Sequence, residues 1–252
     1  MAISVGKFLS KLTTSPPSMP GDPVVALAEP GSAVAEAYRT IRTNLQYANL
    51  DQEKKSILVT SAGPGEGKST TVANLGVTMA KAGSRTLLVD SDLRRPTLHR
   101  LFNVANDTGL TTVLTDMSSL PGGIVSTQLS GLCLLPSGPI PPNPAEVLGS
   151  RRMLELVEQV RAEFDLVLYD SPPVIAVSDP LVLTSLTEAV ILVVKCGRFP
   201  HELIRQAKAQ LEGVKANVLG VLLNSVDFKR DGYYYHSYYD SSYTYGSQNG
   251  AR

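Results

Sequence analysis

The stretch SILVTSAGPGEGKST, residues 56–70, runs from an apolar segment through three closely spaced glycines to Lys68, Ser69 and Thr70. Residues 56–61 predict a buried strand. Gly63, Gly65 and Gly67 let the backbone turn sharply and aim its N–H groups inward. A helix is predicted from Lys68 to about residue 81, ended by Gly83, and its N-terminus adds partial positive charge. Strand, glycine loop and helix in this order make a P-loop, which cradles nucleotide phosphates. The cradle comprises Gly63, Pro64, Gly65, Glu66, Gly67, Lys68, Ser69 and Thr70. Lys68 is expected to reach the β and γ phosphates of ATP, and Ser69 to ligate Mg2+. Ala62 stands where the usual pattern begins with glycine.

Further apolar runs follow at residues 86–90, 132–136, 165–170, 189–194 and 218–226. They are continuously apolar rather than alternating, as strands covered on both faces read. Helices are expected at about residues 150–164 and 200–213, and short helices and loops at 97–115. Strands spaced by helices predict an α/β fold: a doubly wound, mainly parallel sheet of the P-loop NTPase kind.

Asp90 and Asp92 lie at the end of one strand, in LLVDSDLRRP, and Asp170 at the end of another, in LVLYDSPP. Ligands of open α/β sheets bind at the carboxyl ends of strands, so these carboxylates share an edge with the P-loop. One or two of them would hold Mg2+, directly or through water. Asn224, just after the apolar run GVLL, is an adenine contact by likeness to related P-loop ATPases.

Upstream, residues 13–31 are rich in Ser, Thr, Pro and Gly and read as a linker. A helix is predicted after Ser32, its N-cap, with Val34, Tyr38, Ile41 and Leu45 on one face. Residues 1–12 read as a frayed end. Downstream of Phe228 the chain loses nearly all aliphatic residues. It gathers Tyr233, Tyr234, Tyr235, Tyr238, Tyr239, Tyr243 and Tyr245. Such a segment cannot bury a core and is expected to be disordered.

Composition narrows the class. The 23 basic and 23 acidic residues cancel, which gives no bulk attraction to nucleic acid. No run of about 18 apolar residues occurs, so no membrane span is expected. Cys133 and Cys196 sit in apolar runs without metal spacing. They read as buried thiols of a reducing, cytoplasmic compartment.

Residues 62–69, the DxDxR of residues 90–94 and the Asp-x-x-Pro of residues 170–173 together resemble the bacterial tyrosine kinases of capsule and exopolysaccharide synthesis. Glu36, Arg39 and Arg42 match that family's ExxRxxR element, which makes subunit contacts in a ring, and the tyrosine-rich tail matches its autophosphorylated cluster. The resemblance implies ATP and Mg2+ as cofactors. Lys68, Asp90, Asp92 and Asp170 become the catalytic set, with Asp90 as proton acceptor and Ser69, Asp92 and Asp170 around Mg2+. The seven tail tyrosines become acceptors, with transfer in trans between subunits of a homo-oligomeric ring such as an octamer. The resemblance further implies three parts: a flexible segment 1–31, a kinase domain 32–228 with its oligomerisation helix, and a tail 229–252. The chain is similar to the stand-alone form. That form works with a transmembrane activator or chain-length-determinant protein at the inner face of the plasma membrane, and against a phosphotyrosine phosphatase.

Two other readings compete. A partitioning or positioning ATPase of the MinD/ParA kind would carry a signature lysine where this chain has Gly63, and would lack the tyrosine tail. A non-enzymatic ATP-binding regulator would have no need of Lys68 and three strand-end aspartates.

Overall fold

The computed structural model describes residues 24–48 and 54–226, together with the backbone of a two-residue strand at Thr13–Thr14. The strands are β1 (Thr13–Thr14), β2 (Ser56–Ser61), β3 (Thr86–Asp90), β4 (Val125–Ser126), β5 (Leu132–Leu135), β6 (Leu166–Asp170), β7 (Ala189–Lys195) and β8 (Val218–Asn224). They form one sheet in the order β1-β4-β5-β3-β6-β2-β7-β8. Every pairing is parallel except β4 with β5. The α/β doubly wound reading holds, and all six strands expected from the sequence are present. The two additional strands have two residues each, too few for any periodicity to register.

The helices are α1 (Val25–Ala28), α2 (Ala33–Ala48), α3 (Lys68–Lys81), α4 (Leu98–Leu101), α5 (Leu110–Thr115), α6 (Leu120–Gly123), α7 (Pro144–Leu148), α8 (Arg151–Glu163), α9 (Asp179–Thr184) and α10 (His201–Gly213). The two-residue period of the strands divides the apolar side chains between two cores. Leu58, Leu87, Val89, Val167 and Leu192 face α8, α9 and α10. Ile57, Val59, Leu88, Leu168 and Ile191 face α2 and α3. Both faces are therefore covered, which is why these strands read as unbroken apolar runs. Ser32 caps α2 by accepting the Ala35 N–H at 3.2 Å. Ser150 does the same for α8 through the Met153 N–H at 3.2 Å.

Four local expectations change. Of the linker read at residues 13–31, Thr13–Thr14 form β1 and Val25–Ala28 form α1. Val24 and Ala26 are buried, the Ala26 N–H donates to Asn74 Oδ1 at 2.7 Å, and Lys81 Nζ donates to the Ala26 carbonyl at 2.6 Å. Two backbone groups matched by α3 side chains are enough to dock so short a segment. On α2, Val34 is exposed and Ala35 takes the buried position beside Tyr38 and Leu45. Of the two cysteines, Cys133 is buried and Cys196 is only partly so, because it follows β7 rather than lying within it. Finally, β8 is the last strand of the sheet, and Val221 and Leu223 stay more than half exposed. The apolar run marks a strand but carries no information on whether that strand is central or at an edge.

Candidate active site at the strand ends

β2, β3 and β6 are neighbours, so the P-loop and the strand-end aspartates meet at one point of the sheet. The register makes this specific: Asp90 and Asp170 are Cα partners. Cross-links hold the three ends together. Ser91 donates its N–H to the Asp170 carbonyl at 2.9 Å, and Ser171 Oγ donates to the Val59 carbonyl at 2.9 Å. Thr60 Oγ1 donates to the Pro172 carbonyl at 2.8 Å.

The loop itself is braced from inside. Glu66 is fully buried; its carboxylate accepts the Gly63 N–H at 2.7 Å and the Lys195 N–H at 3.2 Å. The Glu66 side chain and the Gly63 N–H are thus committed to the loop and turned from any phosphate. Their place in the cradle is structural. Gly67 caps α3 at φ 90°, a left-handed conformation that favours glycine. The Asn224 amide, expected at adenine, donates to the Glu66 carbonyl at 2.9 Å and lies where a Gly67 side chain would go.

Asp90 is fully buried. Its Oδ2 accepts two N–H groups that open α4, from Thr97 and Leu98, both at 2.9 Å. Its Oδ1 has no partner. Burial, then the neighbouring Asp170 charge, drives its carboxyl well above the usual range. Asp92 accepts the Arg95 N–H at 3.0 Å and is also raised, chiefly by burial, with Lys68 countering. Asp170 is wholly buried and pushed up to about 7 by that burial. The Ser69 hydroxyl and the Lys68 charge both favour its ionised form. Neither Asp170 oxygen, however, has a hydrogen-bond partner.

Orphaned carboxylate oxygens within the field of a loop lysine are what a cation and a polyphosphate would satisfy. Among the described residues, no three or more His, Cys, Asp or Glu side chains gather as a metal cage. Mg2+ commonly binds through one or two carboxylates and completes its shell with phosphate oxygens and water, so the Ser69–Asp170 pair with Asp92 alongside fits it. Lys68 is itself nearly buried, and its charge acts on Asp92 and Asp170.

Three contributors were not visible from the sequence. Asp179, fully buried at the first turn of α9, holds Arg94 through two bonds of 2.8 and 2.9 Å. Phe199, in the loop after β7, lies against Gly63: a Cβ there would fall 2.4 Å from its ring. Arg198 stacks on that ring, 5.6 Å from its centre, and reaches Gly65. An Arg-Phe pair at the end of an apolar strand is the only local signal for this brace.

On α2, Arg39 pairs with Glu36 and also reaches the Pro30 carbonyl, and both side chains are exposed. The Arg42 Nε is buried without a partner. The seven tail tyrosines lie outside the described residues.

A family profile described as an AAA domain matches residues 54–222. The tyrosine-protein kinase YwqD of Bacillus subtilis is 44% identical over 214 residues, covering 84% of this chain and 90% of that protein. Among solved structures, the kinase domain of the Escherichia coli tyrosine kinase ETK superposes with a TM-score of 0.79 at 31% identity, covering 85% of this chain and 89% of that one. The septum site-determining protein MinD of Pyrococcus horikoshii, complexed with Mg-ADP, is 24% identical with a TM-score of 0.57. It covers 67% of this chain and 69% of its own. That likeness is one of fold.

Proposed function

The chain belongs to the bacterial tyrosine-protein kinases, and from that premise we propose that Lys68, Asp90, Asp92 and Asp170 transfer the γ-phosphoryl group of ATP to tyrosines of its own tail. The supporting observation is the unpaired oxygens of the Cα partners Asp90 and Asp170, with the charge of the nearly buried Lys68 acting on Asp170. Lys68 neutralises charge on the β and γ phosphates, and the N-terminus of α3 adds its partial charge. Bound Mg2+, held by Ser69, Asp170 and Asp92, would supply further charge neutralisation. The acceptor phenol has a pKa of about 10 and loses its proton as its oxygen bonds to phosphorus. Asp90 Oδ1 takes that proton. That oxygen has no hydrogen-bond partner, which leaves it free to do so in the ionised form. The transition state is loose, so positioning and charge outweigh base strength.

The acceptors are Tyr233, Tyr234, Tyr235, Tyr238, Tyr239, Tyr243 and Tyr245. Transfer is in trans: the exposed Glu36–Arg39 face of α2, with Arg42, docks a second copy in a ring and brings its tail to the site. The chain divides into a segment 1–31, a kinase domain 32–228 and the tail 229–252. It regulates capsular or exopolysaccharide synthesis and export. Among the described residues no helix is long and apolar enough to cross a membrane. A transmembrane activator would draw the kinase to the inner membrane face, and a phosphatase would reverse its product.

Purified protein with labelled ATP and Mg2+, probed for phosphotyrosine, tests this reading. Label on tyrosine, absent in Lys68→Ala, is expected. Hydrolysis of ATP without phosphotyrosine would establish the positioning-ATPase reading instead. A Lys68→Ala chain with its tail intact should be phosphorylated by a tail-less active partner. Failure of that mixed assay would establish transfer in cis.

A further inference from the structure

Beside the active site, the turn after Asp92 and the loop after β5 enclose an open cavity of about 580 Å3, within the size range of ligand sites. Arg94, Arg95 and Arg100 line one side, and Pro139 and Ile140 the other. No carboxylate lines it. On a chain whose charges cancel overall, this is a local concentration of positive charge.

The three arginines are not equivalent. Arg94 is committed to Asp179. Arg95 and Arg100 are exposed and enter no salt bridge among the described residues. His99 also borders the cavity; burial and the Arg100 charge hold its pKa below the usual value, so the positive field belongs to the arginines. Unpaired guanidinium groups are planar forks suited to phosphate oxygens. Ile140 is 63% exposed and gives an apolar wall a few side chains away. A ligand with a phosphate at one end and a flat apolar ring at the other matches both walls.

The cavity is coupled to the reacting centre through backbone bonds of two lining residues: the Arg95 N–H donates to Asp92 at 3.0 Å and the Thr97 N–H to Asp90 at 2.9 Å. In an extended segment, side chains two residues apart point the same way, about 7 Å apart. The tail holds two such pairs, Tyr233 with Tyr235 and Tyr243 with Tyr245.

We propose that this cavity binds the phosphotyrosyl group of an already phosphorylated tail, with Arg95 and Arg100 on the phosphate and Ile140 and Pro139 against the ring. One transfer then primes the next on a nearby tyrosine. The proposal rests on the tyrosine-kinase reading and deepens it: the substrate of later rounds is a phosphotyrosyl peptide.

The test uses two labelled peptides spanning residues 229–247, one unmodified and one phosphorylated at Tyr235 only. Each is titrated by fluorescence anisotropy against the dephosphorylated full chain, without ATP. The phosphotyrosyl peptide is expected to bind at least tenfold tighter. Arg95→Glu/Arg100→Glu should abolish that advantage, and the exposure of both side chains leaves the fold intact. With ATP, the primed peptide should gain phosphate several-fold faster in wild type but not in the variant. Equal affinities, or an advantage that survives the double substitution, would overturn the proposal. So would inorganic phosphate competing as well as free phosphotyrosine, which would mark a simple anion site. Transfer to the unmodified peptide, measured in the same samples, reports on the kinase reading alone. Its absence with the binding difference intact would reject the kinase and keep the site.

Discussion

Asp90 and Asp170 face each other as Cα partners at the ends of β3 and β6, and three of their four carboxylate oxygens lack a hydrogen-bond partner. Both carboxyls are raised by burial, Asp170 to about 7. A carboxyl whose folded pKa exceeds its unfolded value binds more protons when folded. Its contribution is therefore favourable at low pH and is lost as pH rises from about 4 toward 7. Without nucleotide, Tm should fall between pH 5 and pH 8. Asp170→Asn should flatten that fall, and Mg2+ with ATP should oppose it. Thermal melts across this range check all three; a rising Tm in wild type would contradict the electrostatics described for the pair.

Among the described residues, the Lys68 charge favours the ionised form of both Asp92 and Asp170. On the proposed mechanism, removing it strips charge neutralisation from the transition state, an effect of about 10²–10³ in rate for a well-placed group. Lys68→Ala should reduce phosphotyrosine formation by about that factor, at least as much as Asn at 90, 92 or 170. Circular dichroism should show an unchanged fold. Full activity in this variant would remove Lys68 from the mechanism.

Phe199 occupies the space that a side chain at position 63 would need. Gly63→Lys should therefore lower stability by about 1–3 kcal/mol, the cost of overpacking a filled site. It should weaken nucleotide binding as well. Gly63→Lys with Phe199→Ala should recover part of the stability. Denaturant melts and nucleotide titration of the two variants make the comparison.

The Arg94–Asp179 pair is lopsided: the arginine side chain is 41% exposed and the aspartate 0%. Arg94→Ala leaves a buried carboxylate without its cation, whereas Asp179→Asn leaves an arginine that water can solvate. Arg94→Ala should be the more damaging change, by about 1–3 kcal/mol. The double variant Arg94→Ala/Asp179→Asn should regain most of the difference. Urea unfolding of the three proteins checks the order.

The sequence made the loop legible because its chemistry is local. Glycine spacing, a lysine and a following helix are set by neighbours within a few positions. The strand-end aspartates were legible for a related reason: an apolar run that stops at Asp90 or Asp170 marks the sheet edge where ligands bind. Asp179 was not legible, because its meaning comes from Arg94, 85 residues away. Phe199 acquires its role only when the loop after β7 folds over Gly63. The exposure of Val221 and Leu223 depends on β8 being last in the sheet, a property of topology that no local pattern encodes. Residues 25–28 were read with the linker for the opposite reason: one helical turn is too short to show a period, and α3 supplies its partners.

The contact between Phe199 and Gly63 also constrains how such chains diverge. A residue larger than glycine at 63 and one smaller than phenylalanine at 199 suit each other, whereas either alone leaves a clash or a gap, so the two positions are coupled and are expected to change as a pair.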